Sequence, residues 1–232
     1  MSPDFATGDV VYENPLAQES DVADFVREGQ PIVTFPAGTL RLENGMDPKE
    51  GQAANYLFWC PEVFPADVAV SWDFRPIREP GLAMFWIAAS GKDGKDLFDP
   101  SLAPRAGQYR QYHSGDINAY HLSYFRRSNP ENERTFHTCN LRKSYGFHLI
   151  TQGADPIPSV IDIKSSYHIE VVKCSGWIWL KINDLPIFEW HDDGREYGPV
   201  LEGGRIGFRQ MAPLVADYSN LTVRKVSMAD AG

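Results

Sequence analysis

Cysteine is scarce in this chain of 232 residues: Cys60, Cys139 and Cys174 are the only three. The count is odd and no C-x-x-C or other ligand spacing occurs, so the pattern predicts three buried, reduced thiols rather than a metal or disulfide framework. Long hydrophobic runs are also missing. No stretch of about 18 apolar residues appears, and the start, MSPDFATGDVVYENPL, has neither a basic nor an apolar segment. The expectation is a soluble, cytoplasmic chain with no membrane partner. Positive charge is in deficit, with 22 Lys and Arg against 31 Asp and Glu, a net charge of −9 and a pI near 5.1. That argues against nucleic acid as a partner, because phosphate binding needs a basic face. It leaves room for a local basic pocket around a small anion. Helical periodicity is rare too. SDVADFVREG, residues 20–29, is the best candidate, with Ser20 as cap, Val22, Phe25 and Val26 as stripe and Gly29 as stop.

Short alternating segments divided by Gly, Pro, Asn and Asp make up much of the rest. DVAVSWDFRPI alternates Val68, Val70, Trp72 and Phe74 with small or polar residues, and GLAMFWIAAS reads as a central buried strand. SYHIEVVKCSGWIWLKINDLPIFEW gives three strands joined by turns at Ser175-Gly176 and Asn183-Asp184. GRIGFRQM and SNLTVRKVSM add two more. Regular strands without βαβ alternation predict an all-β antiparallel sandwich of about a dozen strands, one domain over residues 1–232. The Gly/Asp/Pro-rich stretch at residues 91–118 is a long excursion, expected to be ordered by Tyr109, Tyr112 and His113 and to wall one side of a cleft.

The series YHIEVVKCSGWIWLKINDLPIFEW, GGRIGFRQM and SNLTVRKV resembles the closing strands of concanavalin-like (laminin-G and galectin-like) jelly rolls. The block INAYHLSYFRRSNPENERTFHTCNLRKSYGFHLITQGADPIP closely resembles the YesU-like family of bacterial proteins. The resemblance implies a concanavalin A-like antiparallel β-sandwich. It implies more loosely a carbohydrate-active role beside pectin or other plant polysaccharide use, with a saccharide as ligand. It supplies no catalytic residues to carry over. No cofactor is expected, with a single calcium ion left open by analogy, and homo-oligomerisation is also left open.

AYHLSYFRR, residues 119–127, holds unusually many polar groups for a strand. Strict alternation puts Tyr120, Leu122, Tyr124 and Arg126 on one face and His121, Ser123, Phe125 and Arg127 on the other. The next strand candidate, FHTCNLRK, offers Asn140 and Arg142 on one face and Lys143 on the other. A hairpin of the two would gather Tyr124, Arg126, Asn140 and Arg142, with His121 or Lys143 at an edge. Guanidinium groups bind carboxylates, and Tyr and His move protons. That set suits β-elimination at a uronic acid. Tyr124 or His121 is then expected as acid or base, with Arg142, Arg126 and Asn140 on the carboxylate and Lys143, His148, Tyr112, His113 and Arg209 around the ligand. The plainer reading has Arg126 and Arg127 paired with Glu131 or Glu133 and Tyr124 in the core.

Hydrolysis needs two facing carboxylates. Glu43, Asp73, Asp96, Asp99, Asp116 and Glu189 are isolated candidates, so a hydrolase stays open, as does a non-catalytic saccharide-binding protein of the same fold. Of the tryptophans, Trp72, Trp86 and either Trp177 or Trp179 are expected in the core, with Trp59 and Trp190 the better sugar-stacking candidates.

Overall fold

Two antiparallel sheets face each other across an aromatic core in the computed structural model, which describes residues 4–127 and 137–229. The strands are β1 (Phe5–Asn14), β2 (Val26–Glu28), β3 (Pro31–Thr34), β4 (Leu40–Asn44), β5 (Tyr56–Trp59), β6 (Val68–Arg78) and β7 (Gly81–Gly91). After one helical turn, α1 (Arg110–His113), come β8 (Ile117–Arg127), β9 (Thr138–Ser144), β10 (His148–Ala154), β11 (Tyr167–Cys174), β12 (Trp177–Ile182), β13 (Leu185–His191), β14 (Arg205–Met211) and β15 (Val215–Met228). The first sheet runs β13-β12-β11-β6-β15-β4-β3, with β1 also on β15. The second runs β10-β9-β8-β7-β14-β5-β2. The predicted turns at Ser175-Gly176 and Asn183-Asp184 close β11–β12 and β12–β13 with all four residues at positive φ, the left-handed geometry that tight hairpins need.

Inward residues of both sheets interlock around Trp72, whose ring packs 4.4 Å from Phe85 and 5.4 Å from Tyr124 and Phe208. Each such ring, once buried, contributes roughly 1.5–3 kcal/mol of hydrophobic stabilisation. Cys60, Cys139 and Cys174 are free and buried. Among the described residues no helix is long and apolar enough to cross a membrane, and no three His, Cys, Asp or Glu side chains gather to hold a metal ion.

The helix expected over residues 20–29 is not formed. Glu19–Val22 make one 3-10 turn, and β2 then pairs with β5. Ladder bonds to β5 and a Glu28 carboxylate held by Trp59 and Arg105 outweigh the local pattern.

Strict alternation also fails in β8, and this matters for the site. Phe125 pairs with Ala83 and Ser123 with Met84 of β7, so Tyr124 is an extra residue opposite no partner of its own. A bulge re-aims the residues after it. Tyr124 and Phe125 both enter the core, and Arg126 turns outward to join His121 and Ser123.

Candidate functional site

The outer face of the second sheet is divided in two. Residues of the 91–118 excursion roof one half, burying Trp59, Trp86 and Leu57 beneath Leu97 and Tyr112. The buried Arg105–Glu28 pair, 2.7 Å apart, fastens the roof, and Trp59 donates to the same carboxylate at 2.9 Å. Gly107 allows the roof to sit this close: its φ is +93°, and a Cβ there would lie 1.9 Å from the Asn55 carbonyl. Its carbonyl accepts from Arg209, which fixes the chain two residues before Tyr109.

The other half is open and forms a cavity of about 690 Å³, a size suited to a small ligand. Cross-strand register explains what lines it. His121 lies between Trp86 and Arg142, and Ser123 between Met84 and Asn140. Leu82 and Met84 form an apolar floor, Phe147 and Pro213 stand at the walls, and Tyr109 closes the boundary with the roof. Arg126, Arg127 and Arg142 all reach the cavity, and no Asp or Glu is among its described lining residues. Arg127 is itself tied to Asp155 at 2.6 Å.

Among the described lining residues, Tyr109 and His121 are the groups whose chemistry suits proton transfer. The Tyr109 hydroxyl lies 3.3 Å from His121 Nδ1. The imidazole is fully buried and stacks on Trp86 at 4.1 Å and 8°. Burial pushes its pKa well below the usual histidine value, and Arg142, His113 and Arg209 push it further. Burial raises Tyr109 to about 12, against the opposing charges of Arg142, Arg209 and Arg126. The Arg142 guanidinium lies 3.8 Å over the Phe147 ring and donates to the Phe147 carbonyl at 3.0 Å. Burial lowers its pKa. The Asn140 Oδ1 accepts from Gln152 at 2.6 Å, which orients the amide so that Nδ2 is left for a ligand.

Thus His121, Arg126, Asn140 and Arg142 come together, and other expected site residues do not. Tyr124 is fully buried between the sheets against Trp72 and Phe74 and cannot touch a ligand in the cavity. Its hydroxyl has no hydrogen-bond partner among the described residues. Tyr124→Phe is therefore expected to change activity less than about twofold and stability by less than about 1 kcal/mol, checked by kinetics and thermal melting. Lys143 points inward from β9 and bonds Asp192 at 2.5 Å, away from the cavity. His148 stacks on Tyr197 at 4.7 Å outside it. Tyr112 is buried in the roof and accepts from the Gly107 amide at 2.9 Å. His113 packs behind Tyr109 and Phe147, 4.9 and 4.6 Å from their rings. Arg209 lies beneath the Tyr109 ring at 5.0 Å, fully buried, with its pKa lowered to about 10 by desolvation.

The isolated carboxylates are engaged elsewhere. Glu43 pairs with Arg78, Asp96 with Arg205, and Asp73 with His168. Asp99 accepts from Ser101, Asp116 accepts from Ala103, and Glu189 is exposed on β13. The proposed pairing of Arg126 and Arg127 with Glu131 or Glu133 falls outside the described residues. Trp59 is fully buried and offers no stacking face. Nothing in the strand patterning marks Tyr109, Ser123 or Phe147 as site residues. An aromatic in the excursion's GQYRQYH stretch was the one available signal for Tyr109.

Two sheets in this order, with a cavity on one outer face, define a concanavalin-like, galectin-like β-sandwich protein. The chain belongs to the family described as Domain of unknown function (DUF1961), whose model matches residues 9–223. It is 52% identical over 221 residues to the uncharacterized protein YesU of Bacillus subtilis (strain 168), covering 95% of this chain and 98% of that protein. A crystal structure of a protein of unknown function with a galectin-like fold, also from Bacillus subtilis, superposes with a TM-score of 0.92 at 51% identity. That match covers 97% of this chain and 100% of the other. The kappa-carrageenase of Pseudoalteromonas carrageenovora, solved with an oligotetrasaccharide of kappa-carrageenan, shares the fold with a TM-score of 0.55 at 8% identity. The likeness spans 97% of this chain and 96% of that one.

Proposed function

We propose that this protein acts on a small acidic saccharide, cleaving it by β-elimination at a uronic acid residue. The observation that supports this reading is the pairing of Tyr109 with His121 beside Arg126 and Arg142, in a cavity with no carboxylate among its described lining residues. The fold, shared with a carrageenase bound to an oligosaccharide, is compatible with a saccharide ligand.

Elimination has three requirements. The uronate carboxylate must be neutralised, which makes the C5 proton acidic. Arg126 and Arg142 supply the cations, with Asn140 Nδ2 as a further donor. A base must then take the C5 proton, and an acid must protonate the leaving oxygen on C4. Tyr109 serves both steps from one side of the ring. The C5–H bond breaks, a C4–C5 double bond forms, the C4–O bond breaks, and the departing oxygen leaves with a proton. No water is consumed. Hydrolysis by paired carboxylates finds no such pair among the described lining residues.

The test is incubation with a panel of uronate oligosaccharides (pectic, rhamnogalacturonan, ulvan, alginate and glucuronan), followed by ultraviolet absorbance and product mass. A new conjugated double bond, with products summing to the mass of the substrate, supports the proposal. Products carrying the mass of an added water would overturn it. Binding of an oligomer without any product would make the cavity a recognition site instead.

A further inference from the structure

The two ring nitrogens of His121 have different neighbours. Nδ1 faces the Tyr109 hydroxyl at 3.3 Å, and Nε2 faces Ser144 Oγ at 3.1 Å. The Ser144 hydroxyl has one proton, and the Gly146 carbonyl 3.2 Å away only accepts, so a bond between the two takes that proton. Ser144 Oγ is then free only to accept, so the nitrogen facing it carries the hydrogen. We infer that Ser144 is a positioning residue that holds His121 as the Nε2–H tautomer, leaving Nδ1 bare to receive the Tyr109 proton.

The surroundings keep this arrangement in place. Ser144 is buried at the end of β9, paired across to Ala119 of β8. The Gly146 amide donates to the His113 carbonyl at 2.6 Å, which pins the turn carrying the acceptor against α1. Stacking on Trp86 blocks rotation of the imidazole out of plane. The charged and titratable groups around the ring are Arg142 of β9, Arg209 of β14, His113 of α1 and Tyr109 before it. Among the described residues none of these is an anion, so the protein's own charges favour neutral imidazole and its tautomer becomes the deciding variable.

The consequence for chemistry rests on the elimination reading; the tautomer does not. As the Tyr109 oxygen takes the C5 proton, its own proton passes to Nδ1. Tyr109 then protonates the leaving oxygen, and Nδ1 returns its proton to Tyr109. The opposite tautomer would present N–H to Tyr109 and leave its proton nowhere to go.

Long-range proton–nitrogen correlation on nitrogen-15-labelled protein reads the tautomer directly, with His121 assigned through its side-chain carbons. Wild-type protein is expected to show bare Nδ1 and protonated Nε2 between about pH 6 and pH 8. Ser144→Ala is expected to populate both tautomers, and Ser144→Thr to restore the first. With a uronate oligomer that is cleaved, Ser144→Ala is expected to lower kcat about tenfold and leave KM within about twofold. Protonated Nδ1 in the wild type, or an unchanged tautomer in Ser144→Ala, would overturn the inference. If no oligomer is cleaved while the nitrogen shifts behave as expected, elimination falls and the tautomer lock stands.

Discussion

Tyr109→Phe is expected to lower kcat/KM for a cleaved uronate oligomer by about a thousandfold, equivalent to about 4 kcal/mol of transition-state stabilisation. The substitution removes one oxygen and keeps the ring, whose edge packs on Phe147 at 5.5 Å and whose face covers Arg209 at 5.0 Å. The fold and the cavity's shape should therefore persist, and KM should change little. Arg142→Ala should act differently, raising KM as well as lowering kcat, because the carboxylate is held in both ground and transition states. Steady-state kinetics on the two variants, with melting curves to show they are folded, separates the roles. Activity of Tyr109→Phe within about threefold of wild type would remove Tyr109 from the chemistry.

The same site predicts a pH dependence. His121 must be neutral to receive a proton, and burial with the nearby arginines holds its pKa well below the ordinary value of about 6.5. A lowered pKa keeps the ring neutral as the pH falls. The acid limb of kcat/KM is therefore expected below about pH 6.5, with activity lost only as the pH drops through the lowered value. Substrate should move that value upward, because a carboxylate seated on Arg126 and Arg142 cancels part of the field that opposes imidazolium.

Strand positions were legible from alternation because most strands bury one side chain in two. Trp72 and Phe74 of β6, and the turns at Ser175-Gly176 and Asn183-Asp184, follow from period-two patterning and turn chemistry alone. The face of a residue was legible only as far as the first bulge. In β8 that bulge falls at Tyr124, so counting by twos put Tyr124 with Arg126 when the two lie on opposite sides. Asn140 and Arg142 on unbulged β9 were placed on a common face, and both line the cavity. The Tyr109–His121 contact was out of reach for another reason. It depends on how the excursion folds back, and that is set by a positive-φ glycine and by a buried ion pair to a residue 77 positions away. Neither leaves a periodic trace in sequence.

Lys143 shows the same gap, and its substitution has the largest expected effect on stability. Residues 141 and 143 share the inward face of β9, so a lysine here must bury its ammonium between the sheets. It does so at 2% side-chain exposure, with every N–H donor used: Asp192 at 2.5 Å and the carbonyls of Gly198 and Pro199 at 2.9 and 2.8 Å. Asp192 is equally buried and also accepts from the Tyr120 hydroxyl and the Gly194 amide. The cluster ties the segment after β13 to the middle of the second sheet. Lys143→Met keeps the aliphatic volume but strands a buried carboxylate and two carbonyls, at an expected cost of about 3–5 kcal/mol. For a chain of this length that corresponds to a melting temperature lower by roughly 6–20 °C. Adding Asp192→Asn removes the stranded charge and should recover part of the loss, since the amide oxygen can still accept from Gly194 and the amide NH2 can donate to the Tyr120 hydroxyl oxygen. Ligand affinity of the Lys143→Met protein, measured well below its melting point, should match wild type, because Lys143 faces away from the cavity. A melting temperature within about 2 °C of wild type, or a large loss of affinity in folded protein, would contradict the purely architectural role that its contacts define.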